Sequence, residues 1–338
     1  MENAKNILEI RNLKVSFFTE EGEVCAVNNV NFSIPRGKIM ALVGESGCGK
    51  SVTSYSILRL IQKPGKIVGG EIIFNSSNGK SMDILALGGE SDELYNLRGD
   101  KISMIFQEPM TALSPVHTIG NQICETLLIH QKISKAQARQ KAIEMLSNVG
   151  IPGAEKRIDQ YPFELSGGMR QRVVIAMAMI CNPELLIADE PTTALDVTIQ
   201  AQILKLMKDL QQDFKSSVLL ITHDLGVVAQ VADEVAVMYL GRVVERSDVQ
   251  TIMKNARHPY TRALLQSLPS MSSGKERLPS IAGSVPSLTK IPKGCPFHPR
   301  CPHYQEGLCD KGVAPELTSI SSNHEAACLR LNDIVFKA

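Results

Sequence analysis

At 338 residues the chain exceeds one ordinary domain. Its 36 Lys and Arg against 35 Asp and Glu leave a formal charge of +1 with no long basic run, which argues against nucleic acid as the main partner. The longest apolar stretch, Val173–Cys181, is far short of the roughly 20 residues that span a bilayer, and Met1–Ile10 shows no signal peptide, so a chain soluble by itself is expected.

Taken in chain order, the first clear element is Ile39–Val43 (IMALV), a short apolar run of the kind buried in parallel sheets. It leads into Gly44-Glu45-Ser46-Gly47-Cys48-Gly49-Lys50-Ser51, which reads G-x-x-x-x-G-K-[ST], the phosphate-binding P-loop. Glycines 44, 47 and 49 let the backbone wrap with its N–H groups inward, and the following helix, from Lys50 through Val52, offers its positive end to an anion. Lys50 is expected to reach the β- and γ-phosphates of ATP, and the Ser51 hydroxyl to ligate Mg²⁺. Cys48 reads more simply as a small residue that fits the loop than as a redox sensor.

Ile102–Phe106 (ISMIF) is a second strand, followed by Gln107, whose amide suits contact with both Mg²⁺ and the attacking water. Thr118–His130 and Lys135–Val149 carry apolar residues at helical spacing between there and Pro152 and Pro162. Leu165-Ser166-Gly167-Gly168-Met169 is a short glycine motif, and Gly168–Ile180 reads as a helix starting there. Glu184–Asp189 (ELLIAD) predicts another buried strand with Asp189 placed to hold Mg²⁺ and Glu190 to act as general base on the attacking water. Acidic residues at strand ends are common solvated caps; the P-loop in the same chain favours the catalytic reading. Val218–Thr222 is a further strand ending at His223, an imidazole suited to the γ-phosphate, although a lone His after a strand is more often structural.

The tail holds four of the eight cysteines, Cys295, Cys301, Cys309 and Cys328, with prolines stiffening the first pair (GCPFHPRCP). Four thiolates suit Zn²⁺ or a [4Fe–4S] cluster, and the gaps are wider than in structural zinc sites. Disulfides are disfavoured in a reducing compartment. His298, His303 and His324 read as flanking residues. Of the other four, Cys25, Cys48, Cys124 and Cys181, three are expected to be small buried hydrophobes.

The order of P-loop, Gln107, LSGG, Asp189-Glu190, Ala194-Leu195-Asp196 and His223 resembles the ATP-binding cassette family over about residues 7–250. The resemblance implies an α/β P-loop NTPase core with a parallel sheet, an N-terminal antiparallel β edge and a helical subdomain at about 110–165. It also implies head-to-tail pairing, with Ser166, Gly167, Gly168 and Asp196 serving ATP bound by a partner subunit. An aromatic near the first strand stacks on adenine in that family; Phe17 is the candidate and Phe18 the alternative. Met169 stands where the family usually has Gln, which does not imply a dead site.

Arg257–Leu265 (RHPYTRALL) and the GCPFHPRC segment resemble the C-terminal extension of ATPase subunits from bacterial oligopeptide and dipeptide importers, here 251–338. LSGGM resembles one of the two paired subunits in those systems. The resemblance implies a four-cysteine iron–sulfur cluster, a second ATPase subunit in a heterodimer, two membrane permease subunits, and an extracytoplasmic peptide-binding protein reached indirectly. It places the chain at the cytoplasmic face of the cell membrane, coupling ATP hydrolysis to import of short peptides. The rival readings are a soluble cassette ATPase acting on nucleic acid or ribosomes, and an ATP-gated assembly module with little turnover.

Overall fold

The computed structural model describes residues 5–107, 112–193, 195–268 and 281–334. Ala194 and residues 110–111, at the edges of two expected segments, lie outside these. By contacts the chain divides into two compact units, each made of several chain segments.

One unit contains residues 8–33, 39–73 and 222–338. Strands Asn6–Thr19 and Gly22–Pro35 are joined by two residues and therefore run antiparallel, with Gly65–Asn75 on the other side of the first. The P-loop strand Ile39–Val43, buried at every residue, pairs in parallel with Glu234–Tyr239, Val43 opposite Val237. Glu234–Tyr239 then folds back as a hairpin onto Arg242–Asp248. Its turn residues Leu240 and Gly241 both have positive φ (44° and 75°), as a two-residue turn matched to strand twist requires.

The sheet does not stop there. His324–Ala326 pairs antiparallel with Arg242–Asp248, and Thr318–Ser321 with His324–Ala326, so the tail adds two strands to the sheet that carries the P-loop. No periodic apolar run announces these short, largely polar strands in the sequence.

The other unit contains residues 1–7, 34–38 and 74–221. Ile102–Ile105, Leu185–Asp189 and Ser217–Thr222 form a parallel run, with Ile105 opposite Ala188 and Asp189 opposite Ile221. The latter two strands are buried throughout, as near-continuous aliphatic sequence requires. Helix Ile119–His130 packs on Lys135–Asn148, and both pack on Gly167–Met179. Each begins at a side-chain cap: Thr118, Ser134 in a reciprocal capping box with Gln137, and Ser166. The three expected helices and the three aliphatic strands therefore fall within a residue or two of where the sequence puts them. Among the described residues no helix is long and apolar enough to cross a membrane.

Candidate functional site

The P-loop is held by contacts that glycine alone permits. A Cβ on Gly44 would run into the carbonyl of Met238 and sit 2.7 Å from Cys48 Sγ. Gly49 has φ +101°, and its Cβ would meet the carbonyl oxygen of Ala26 at 2.5 Å. The Gly241 N–H donates to the Cys48 carbonyl at 2.9 Å, tying the loop to the hairpin turn. Helix Lys50–Ile57 follows, with the Thr53 N–H and hydroxyl both on the Gly49 carbonyl at 2.9 Å.

Lys50 is buried, and its ammonium donates to the carbonyls of Gly44 at 2.8 Å and Glu45 at 3.1 Å. These bonds fold the lysine back over its own loop. Cys48 is 1% exposed, and burial pushes its thiol up while Lys50 pulls the other way. Ser51 and Val52 are half-buried in the helix's first turn, whereas Ser46 and Gly47 are exposed. Phe17 is half-buried against Gly65, and Phe18 is exposed with Lys66 Nζ 5.6 Å from its ring centre. His223 is exposed, just beyond the Ser217–Thr222 strand; Asp224 next to it caps the following helix by accepting the Gly226 and Val227 N–H groups.

Two residues from the P-loop's own unit, distant in sequence, seize Glu45. Arg300 donates from both guanidinium nitrogens to the Glu45 carboxylate, at 2.7 and 3.0 Å. The Tyr260 hydroxyl accepts the Glu45 backbone N–H at 3.0 Å. Sequence reasoning missed both, because a contact across 255 residues leaves no local signal.

In the other unit, Asp189 is fully buried at the end of its strand, and Glu190 follows with φ +47°, the left-handed region that a branched-free acidic residue enters only under constraint. The constraint is visible. The Glu190 N–H donates to the Ile221 carbonyl at 2.9 Å, and the Thr193 hydroxyl donates to its Oε2 at 2.9 Å. Buried Gln171 donates to the Pro191 carbonyl at 2.6 Å. Because Ile105 lies opposite Ala188, Gln107 and Glu190 leave neighbouring parallel strands at the same end, where α/β sheets bind ligands. Gln107 is exposed.

The glycine motif opens the helix Gly167–Met179. Ser166 Oγ accepts the Met169 N–H at 3.4 Å, and Gly167 and Gly168 form the first turn. A Cβ on Gly168 would press on Ile199 at 3.2 Å. Asp196 is exposed and caps helix Val197–Phe214 by accepting the Ile199 N–H at 2.9 Å.

Cys295, Cys301, Cys309 and Cys328 line one cavity, together with His298, His303, His258 and Phe297. Burial pushes Cys295 up to about 12 and Cys301 up to about 11, and the neighbouring thiols add to the shift. Among the described residues no three His, Cys, Asp or Glu side chains converge as closely as one metal ion requires. Tetrahedral zinc with bonds of ~2.3 Å would draw its sulfurs to about 3.8 Å from each other. His324 is not part of this lining; its Nε2 bonds Glu245 Oε1 at 2.8 Å. Cys25 and Cys124, expected to be buried hydrophobes, are only half-buried; Cys181 is buried.

The ABC transporter family profile matches residues 27–193, and the profile of the oligopeptide/dipeptide transporter C-terminal region matches residues 244–309. The oligopeptide transport ATP-binding protein OppD of Bacillus subtilis is 52% identical over 96% of this chain and 88% of its own length. This chain belongs to the ABC transporter family. The dipeptide transport ATP-binding protein DppD of the same organism is 51% identical over 96% of this chain and 94% of its own. A probable peptide ABC transporter ATP-binding protein of Sinorhizobium fredii, y4tR, is 51% identical over 97% and 96%. Among solved structures, the dimeric bacterial ABC transporter cassette MJ0796 superposes with a TM-score of 0.62 at 29% identity, covering 72% of this chain and 98% of that one. The chain is thus an ABC-type ATPase with the cassette fold.

Proposed function

We propose that this ATPase subunit couples ATP binding and hydrolysis to the import of short peptides through a membrane transporter. The observation that carries the cargo reading is the match of residues 244–309 to the oligopeptide/dipeptide transporter C-terminal region; the chain just beyond it adds strands Thr318–Ser321 and His324–Ala326 to the sheet that bears the P-loop. An assembly module without turnover has no use for Glu190 fixed in a strained backbone, and a ribosome- or nucleic-acid-acting cassette gains no support from a charge of +1.

In this reading Lys50 and the P-loop segment Gly44–Val52 hold the triphosphate, and Phe17 stacks on adenine. Ser51, Gln107 and Asp189 supply the hard oxygen donors that Mg²⁺ prefers; the buried Asp189 carboxylate at a strand end fits that role, and bound Mg²⁺ neutralises developing phosphate charge. Glu190 polarises the attacking water, oriented by Gln107, and His223 contacts the γ-phosphate. Ser166, Gly167, Gly168 and Asp196 act on ATP held by a second, different ATPase subunit. Residues 1–250 form the cassette, 251–338 the extension, and two permease subunits hold the pair at the cytoplasmic face of the membrane. An extracytoplasmic peptide-binding protein delivers cargo to them.

The four cysteines are assigned to a [4Fe–4S] cluster rather than Zn²⁺. Support comes from their common cavity and from the thiolate chemistry that iron–sulfur clusters require. Its contribution is structural, holding the tail's loops together. Reconstitution with its co-purified membrane partners tests the function: ATP-dependent uptake of short peptides that Glu190→Gln abolishes is the expected result. Anaerobically purified protein should carry about four iron atoms and absorb broadly near ~400 nm, both lost in Cys301→Ser. Stoichiometric zinc without colour overturns the cluster assignment.

A further inference from the structure

We propose that Tyr260 and Arg300 of the tail are positioning residues for the P-loop, setting where Lys50 stands and cancelling a carboxylate that would otherwise repel the nucleotide. This rests on the P-loop reading given above. The Gly44 carbonyl and the Glu45 N–H belong to one trans peptide unit and point in opposite directions. Lys50 Nζ holds the carbonyl at 2.8 Å, and the Tyr260 hydroxyl holds the N–H at 3.0 Å. The plane on which the phosphate-binding lysine rests is therefore fixed from behind by the tail.

Arg300 acts on the same residue through charge. A carboxylate one residue into a loop whose amides attract a triphosphate opposes binding, more strongly where water is excluded. The two-pronged guanidinium bond neutralises it. Arg300 is itself well fixed: its side chain is 3% exposed, Nε donates to the Ala282 carbonyl at 3.1 Å, and its guanidinium lies 5.9 Å from the Tyr239 ring centre. Tyr260 sits in the same aromatic cluster, with ring centres 4.6 Å from Tyr239 and 5.3 Å from Phe297. Phe297 also walls the four-cysteine cavity, so the brace joins that cavity to the nucleotide loop.

Binding of a fluorescent ATP analogue with Mg²⁺ to the purified full-length chain tests the proposal. Arg300→Gln is expected to weaken binding about tenfold, and Tyr260→Phe, which removes only a hydroxyl, about three- to fivefold. The double variant Arg300→Gln/Glu45→Gln should bind more tightly than Arg300→Gln and within about threefold of Glu45→Gln. That rescue is something loss of packing alone does not produce. Should Arg300→Gln fail to fold, Tyr260→Phe decides. Wild-type affinity in Tyr260→Phe, or a double variant as weak as Arg300→Gln, overturns the brace. Lys50→Ala should abolish binding in the same assay; wild-type binding there would instead bring down the P-loop reading, and the brace with it.

Discussion

Gln171, on the helix that begins at the LSGG motif, donates its side-chain amide to the carbonyl of Pro191, one residue past Glu190, at 2.6 Å. The bond spans 20 residues and is buried, so it ties the start of the signature helix to the turn that carries the proposed general base. Gln171→Ala strands the Pro191 carbonyl and frees the turn. A misplacement of the order of 1 Å costs about 10²-fold in rate when the group does chemistry. The expected outcome is a fall in kcat of at least about tenfold in the assembled transporter. ATP affinity of the isolated chain should stay within about twofold, since no phosphate contact is assigned to Gln171.

Glu190→Gln separates binding from chemistry. The amide keeps an oxygen for the Thr193 hydroxyl and leaves the Ile221 carbonyl bond intact, so the strained turn persists. What it removes is basicity, worth about 10²–10⁴-fold when a positioned carboxylate accepts the proton. Hydrolysis should fall by at least about 100-fold with ATP binding retained. A stable, nucleotide-loaded pair with the partner cassette should then be visible by size-exclusion chromatography. Unchanged turnover would remove Glu190 from the base role.

Cys48 gives a chemical readout of the loop. It is 1% exposed and burial raises its thiol above the ordinary range, so at neutral pH it is protonated and shielded. Since the thiolate is the nucleophile, alkylation should be slow near pH 7 and accelerate as pH rises past the usual thiol range. MgATP should protect, and the labelled protein should no longer bind nucleotide. Equal labelling rates with and without MgATP, followed by mass spectrometry, would place Cys48 outside the nucleotide's footprint.

Much of the cassette could be read because its determinants are local. IMALV, ELLIAD and VLLIT are unbroken aliphatic runs, and each is a buried parallel strand ending at the residue singled out for chemistry or just before it. The caps Ser166 and Asp196 sit where apolar periodicity begins. The rest depended on meetings between remote segments. The tail was legible as a cysteine framework, but its strand pairing depends on short polar segments without a period of two. The grip of Arg300 on Glu45 is a tertiary contact that no spacing encodes. Glu190's positive φ was equally hidden, since glutamate carries no preference for it. Neighbouring bonds impose that conformation.

The tail's buried polar core predicts an acid-sensitive fold. Glu245 is fully buried and accepts the Arg257 N–H at 2.5 Å, the His258 N–H at 3.0 Å and the His324 ring at 2.8 Å. His258, equally buried, has its pKa driven down to about 4 by desolvation, and Glu245 beside it opposes the shift without overcoming it. An exposed imidazole in the unfolded chain has the ordinary value of 6.5. As pH falls below that, the unfolded state takes up the proton first. The contribution is therefore intact above about pH 6.5 and drains away toward pH 4. Between pH 7 and pH 5 this one group should cost about 2 kcal/mol. Urea unfolding at the two pH values measures it. His258→Asn keeps a side-chain acceptor for the Tyr260 N–H, which His258 Nδ1 now takes at 3.1 Å, but cannot titrate. The variant should lose that part of the pH dependence; an unchanged difference between wild-type midpoints and those of His258→Asn would show that other groups carry the acid sensitivity.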